Sequence, residues 1–217
     1  VVGGASGVLG EEWSQMGSTS WNDGPAKMLL FGGGDGSSYL NDVCCLDLNT
    51  LSWSTLQTGG TVPSPRSRHT MTLINEGRSV LMLGGGGDTH VYNDVYVLDV
   101  ETMKWSRAAC HGQVPFSRWG HTSLMLTDRH CLIYGGHDGQ VMMNDMHVLD
   151  THTWHWYQPQ HLAPLAPGLA PSPRAGHTAT LVQIGASRKV FVFGGGDGNK
   201  IFNDSYLLDV DTCLHAC

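Results

Sequence analysis

Leu81-Met82-Leu83-Gly84-Gly85-Gly86-Gly87-Asp88-Thr89-His90-Val91-Tyr92-Asn93-Asp94-Val95-Tyr96-Val97-Leu98-Asp99 is the stretch that decides how this chain folds. A short apolar run ends in glycines, a polar loop follows, and Asn-Asp opens a second run in which β-branched and aromatic residues alternate. Alternation of this kind marks strands, and the glycines and Asn-Asp mark the turn between them. The pattern occurs three more times, in the runs Leu29–Gly34, Leu132–Gly136 and Phe191–Gly196, each followed by its own Asn-Asp. The four asparagines, Asn41, Asn93, Asn144 and Asn203, lie 52, 51 and 59 residues apart.

Further landmarks recur in the same order. A second aspartate closes each alternating segment, at Asp47, Asp99, Asp150 and Asp209, and a tryptophan stands six residues later at Trp53, Trp105 and Trp156, with His215 in the fourth copy. Then come Pro65-Arg66-Ser67-Arg68-His69, Ser117-Arg118-Trp119-Gly120-His121 and Pro173-Arg174-Ala175-Gly176-His177, each leading into Thr and another alternating run. Every repeat therefore holds four short strands, and no long stretch has helical periodicity. A twisted four-stranded sheet leaves faces that only a neighbouring sheet can cover, so this reads as an all-β propeller built of four blades.

Glycine run, Asp with Trp six residues on, and Arg-x-x-His together resemble the kelch repeat over residues 26–217. The resemblance implies a kelch-type β-propeller with four antiparallel strands per blade and repeats at about 26–68, 69–120, 121–176 and 177–217. Residues 1–25 are expected to form a degenerate opening segment with a partial strand around Gly17 to Trp21. With four repeats the ring is either four-bladed or incomplete, and the expectation is a piece of a longer protein.

A residue that recurs in every blade serves architecture more economically than one ligand. Gly32, Gly33, Gly84, Gly85, Gly135, Gly136, Gly194 and Gly195 are expected to allow close backbone approach or positive φ. A phosphate-cradling loop is excluded because no helix and no Gly-Lys-Ser/Thr ending follows, and a calcium-binding glycine-aspartate repeat because the spacing is not nine residues. The tryptophans should fill gaps between sheets, each indole N–H reaching a backbone carbonyl. The paired aspartates should accept backbone N–H bonds in turns, with some aspartates pairing between blades with Arg66, Arg118 and Arg174. His69, His121 and His177 are expected to be neutral hydrogen-bonding residues at strand starts.

The net charge of −7 and a pI near 5.9 leave no basic footprint for nucleic acid or an anionic membrane. The apolar runs are far shorter than a membrane span. Six cysteines without a CxxC pair suit reduced thiols in a cytoplasmic or nuclear setting. The histidines 147, 152, 155 and 161 are scattered by alternation, so no metal and no cofactor is expected.

If the recurring residues build blades, recognition falls to the segments that differ between repeats. These are the loops from Asp35 to Leu40, Asp88 to Tyr92, His137 to Met143 and Asp197 to Phe202. Their candidate partner-binding residues are Tyr39, His90, Tyr92, His137, Met142, Met143, Lys200 and Phe202, joined by Arg68 and Trp119, which break the repeat. The reading is a non-catalytic protein-interaction scaffold for an unidentified protein or peptide. The resemblance also implies an alternative, a metal-dependent enzyme of copper-oxidase or iron type. That would need histidines and tyrosines converging on the channel, a pattern the sequence lacks. The Ala- and Pro-rich insert from His161 to Pro171 reads as a semi-rigid exposed loop.

Overall fold

In the computed structural model the described residues are 7–9, 26–159, 170–185 and 187–211. The opening-strand expectation at Gly17 to Trp21, most of the Ala- and Pro-rich insert, and His215 lie outside them. Four sheets account for the fold, each a blade, and no α-helix occurs among the described residues. Nor is there, among these residues, a helix long and apolar enough to cross a membrane.

The first sheet runs in the order β1 (Gly7–Leu9), β2 (Lys27–Gly34), β3 (Tyr39–Asp47), β4 (Ser52–Leu56). The second carries β6 (Thr70–Ile74), β7 (Ser79–Leu83), β8 (Val95–Asp99) and β9 (Lys104–Arg107), with β5 (Gly59–Gly60) lying parallel along β9. The third repeats that plan with β11 (Thr122–Met125), β12 (His130–His137), β13 (Met142–Asp150) and β14 (His155–Tyr157), edged by parallel β10 (His111–Gly112). In the fourth, β15 (Thr178–Ile184), β16 (Ser187–Phe193) and β17 (Ser205–Asp209) are antiparallel neighbours. Two compact units contain these sheets in pairs, residues 1–108 and 109–217.

Each unit has its own apolar core, formed where one sheet lies on the next. In the first, Leu29, Phe31, Val43 and Cys45 of sheet one meet Val80, Met82, Tyr96, Leu98 and Trp105 of sheet two. In the second, Leu132, Tyr134, Met146 and Val148 meet Val190, Val192 and Leu208. Side chains alternate across a strand, so only every second residue can join such a core. Each fully buried one contributes about 1.5–3 kcal/mol.

Two expectations about the tryptophans require correction. Trp105 is 2% exposed and stands edge-on to Phe31 at 5.2 Å, but Trp53 is 54% exposed. Its ladder partner is Leu46, which alternates with the core residues Val43 and Cys45, so Trp53 belongs to the opposite face of sheet one. Phe191, Phe193 and Leu207 are exposed on the corresponding outward face of sheet four. The indole N–H groups of Trp105 and Trp156 also find no acceptor among the described residues. Both indoles are buried all the same, and burial of so large an apolar body outweighs a lost hydrogen bond of about 1–3 kcal/mol.

Candidate functional site

One clamp recurs in three of the repeats. Arg66 donates from Nη1 to Gly84 O at 2.9 Å and to Asp94 Oδ1 at 2.5 Å, and from Nη2 to Asp94 Oδ2 at 3.1 Å. Arg118 makes the same bonds to Gly135 and Asp145, and Arg174 to Gly194 and Asp204. The three arginines are all but inaccessible. Bidentate carboxylate pairing and carbonyl acceptors are what make a buried guanidinium tolerable.

At Arg66 and Arg174 the pair joins one blade to the next, because the arginine's backbone is bonded to one sheet and its guanidinium to an aspartate of the following one. Gly33 N–H donates to Arg66 O at 2.9 Å and Arg66 N–H donates to Leu40 O at 3.0 Å, both in sheet one, while its side chain sits in sheet two. Arg174 repeats this with Gly136 and Met143 of sheet three and its guanidinium in sheet four. Gly32 is required here, since at φ +58° a Cβ would come within 2.7 Å of both Arg66 O and Leu40 O.

The histidine after each clamp is buried. His69 stands edge-on to Phe31, and His177 edge-on to Tyr134 with Nε2 3.0 Å from Thr122 Oγ1. Burial and then the adjacent Arg66 charge push His69 down to about 3, and burial and then Arg174 push His177 down to about 4. The second aspartates cap turns as expected: Asp47 accepts from Asn49 and Thr50 N–H, Asp99 from Thr102, Asp150 from His152 and Thr153, and Asp209 from Asp211. No cluster of three or more metal-ligating side chains occurs among the described residues.

The candidate contact residues fall into small groups. In the first unit Tyr39 and Arg68 line one cavity of about 390 Å³, together with Ser37, Ser38, Ser67 and Asp88. His90 stacks on Tyr92, and Tyr92 in turn covers Arg66, the guanidinium carbon 3.9 Å from its ring centroid. In the second unit Trp119 and His137 exchange backbone hydrogen bonds and place their rings 4.9 Å apart. Met142 is half-buried and Met143 buried. Phe202 lies over Arg174 at 4.6 Å, with Lys200 Nζ 5.7 Å from the same ring. Tyr92 and Phe202 thus each cover a clamp arginine.

Arg68 has φ +57°, whereas Gly120 and Gly176 hold the equivalent places with φ +66°. A left-handed conformation costs a non-glycine residue about 1–2 kcal/mol. The departure of Arg68 from the repeat was the visible signal for this position. Ser37, Ser38, Ser67 and Asp88 gave no comparable signal, since Ser and Asp are ordinary loop residues.

Residues 13–183 match the family model of the KLHDC2/KLHL20/DRC7 kelch-repeats domain. The chain belongs to the kelch-repeat family. It is 33% identical over 189 residues to acyl-CoA-binding domain-containing protein 4 of Arabidopsis thaliana, covering 86% of this chain and 26% of that protein. To the Rab9 effector protein with kelch motifs of Mus musculus it is 31% identical over 182 residues, 82% of this chain and 45% of the relative. To tip elongation aberrant protein 1 of Schizosaccharomyces pombe it is 31% identical over 208 residues, 94% of this chain and 17% of the relative. The kelch chain thus spans less than half the length of each of these relatives.

Proposed function

We propose that this kelch chain is a non-catalytic interaction scaffold that holds a protein or peptide at its rim loops. The observation that carries the reading is the engagement of the recurring polar residues. The clamp arginines and their aspartates satisfy one another and the backbone, and the histidines beside them are buried, so chemistry toward an outside molecule falls to the irregular loop residues. The name of the Rab9 effector relative also speaks of a protein partner. A net charge of −7 disfavours nucleic acid. Among the described residues Cys44, Cys45, Cys110 and Cys131 form no disulfide, which suits a cytoplasmic or nuclear compartment.

The test is crosslinking mass spectrometry of the tagged protein with its co-purifying partners, alongside the Arg68→Ala, Trp119→Ala double variant. Crosslinks should map to the loops at 35–40, 88–92, 137–143 and 197–202, and the variant should lose at least one partner. Unchanged capture by the variant refutes the choice of rim. Stoichiometric copper or iron in the purified protein refutes the scaffold reading itself.

A further inference from the structure

The first unit's cavity carries one cation and one anion on its walls. Arg68 and Asp88 both line it, among the hydroxyl-bearing side chains of Ser37, Ser38, Ser67 and Tyr39. Both charged residues depart from the repeat. Arg68 occupies a left-handed position that its counterparts fill with glycine. A strained residue persists only where its surroundings hold it, and such residues cluster at binding sites.

Asp88 departs in a different way. The other three loops place an aspartate two residues after the second glycine of the run, Gly33, Gly136 or Gly195, and Asp35, Asp138 and Asp197 each accept two backbone N–H bonds within their own loop. In the second blade Gly87 stands at that position, its N–H bonds His90 O, and the carboxylate comes one residue later, on the cavity wall. The loop has given up its capping aspartate and presents a carboxylate to the cavity instead.

We propose that this cavity binds a peptide segment of paired opposite charge, its acidic side chain held by Arg68 and its basic side chain by Asp88. The proposal rests on the scaffold reading above and specifies the ligand of one part of the rim. Arginine offers a planar fork to a carboxylate, and a neighbouring carboxylate favours a basic group beside it. The same Asp88 argues against a phosphate, whose second negative charge it would repel. The hydroxyls are suited to the backbone polar groups of an extended segment. A cavity of about 390 Å³ has the size of a small binding pocket, which suits two side chains rather than a folded element.

The probe is a phage-displayed random heptapeptide library panned on the whole chain, followed by fluorescence anisotropy of the selected peptides. Selected peptides should carry an acidic and a basic residue within two or three positions of each other. Arg68→Gly should weaken them at least tenfold while raising Tm, because it removes the left-handed strain. Asp88→Asn should weaken them at least fivefold. Selection of purely acidic or purely apolar peptides overturns the proposal, as does tighter binding of a phosphoserine peptide, unchanged binding in Arg68→Gly, or no selection at all. Failure here is separable from failure of the scaffold reading. If Arg68→Gly still captures its cellular partner through crosslinks on other rim loops, the scaffold stands and this pocket does not.

Discussion

Replacing Asp94 by alanine strips the countercharge from a guanidinium with no access to water. Arg66 is 0% exposed, and Asp94 supplies two of its hydrogen bonds, at 2.5 and 3.1 Å. The remaining acceptors are neutral: Gly84 O at 2.9 Å, Ser64 O at 3.1 Å and Ser64 Oγ at 3.0 Å. Tyr92 seals the far side at 3.9 Å. Removing one partner of a buried pair costs about 3–5 kcal/mol, because the other charge stays buried and uncompensated. At a urea m-value of about 2 kcal/mol/M this is a fall in midpoint of about 2 M. The Asp204 side chain is 36% exposed against 11% for Asp94, so water can reach the gap left in Asp204→Ala and its cost should be about half as large. Equilibrium urea unfolding followed by circular dichroism measures both. Replacing Arg66 and Asp94 together by Met and Leu should recover most of the loss, since an apolar pair of similar volume needs no countercharge. The reasoning fails if Asp94→Ala costs under about 1 kcal/mol, or if the two aspartates cost the same.

The two tryptophans of the first unit make a sharp contrast: Trp105→Ala should cost about 3–5 kcal/mol and Trp53→Ala under about 1 kcal/mol, which paired thermal or urea melts will resolve, equal losses contradicting the burial argument. Stability should also fall as pH drops from about 6.5. His69 and His177 titrate near 3 and 4 when folded and near 6.5 when unfolded, so the unfolded chain takes up protons first. The contribution is complete above about pH 6.5 and declines toward 3–4, and the urea midpoint measured between pH 7.5 and 5 should decrease. Asp145 adds its own loss only below about pH 4: burial alone would raise that carboxyl, but hydrogen bonds from Arg118 and His147 together hold it below the usual carboxylate range. A His69→Phe, His177→Phe variant with an undiminished pH slope would rule the histidines out as the source.

Spacing made the blades legible in the sequence because each turn type needs its own residues at fixed offsets. Gly32 and Asp47 do in three dimensions what their chemistry dictates, one admitting a carbonyl where a Cβ cannot go and the other capping two amides. Pairing across a boundary was legible as a type, but which aspartate each arginine takes was not. Arg66 reads as the end of one repeat, and its backbone does belong there, yet its side chain crosses into the next blade to find Asp94, 28 residues on. Nor does a repeated tryptophan carry in its letter whether another sheet covers it, and Trp53 is exposed because burial belongs to the neighbour and not to the residue.

That division bears directly on where selectivity can reside. A clamp that joins one blade to the next at Arg66 and again at Arg174 cannot vary without loosening the core beside it, so its residues are poor material for distinguishing partners. The residue two places after Arg66 differs between the repeats. Glycine meets the left-handed angle of this position without strain in the two later repeats, and the first accepts about 1–2 kcal/mol to place a guanidinium on a cavity wall instead. The second loop gives up a capping aspartate on the facing side. Two independent departures, each at a cost to local structure and both on the walls of one cavity, are better explained by a ligand than by the fold.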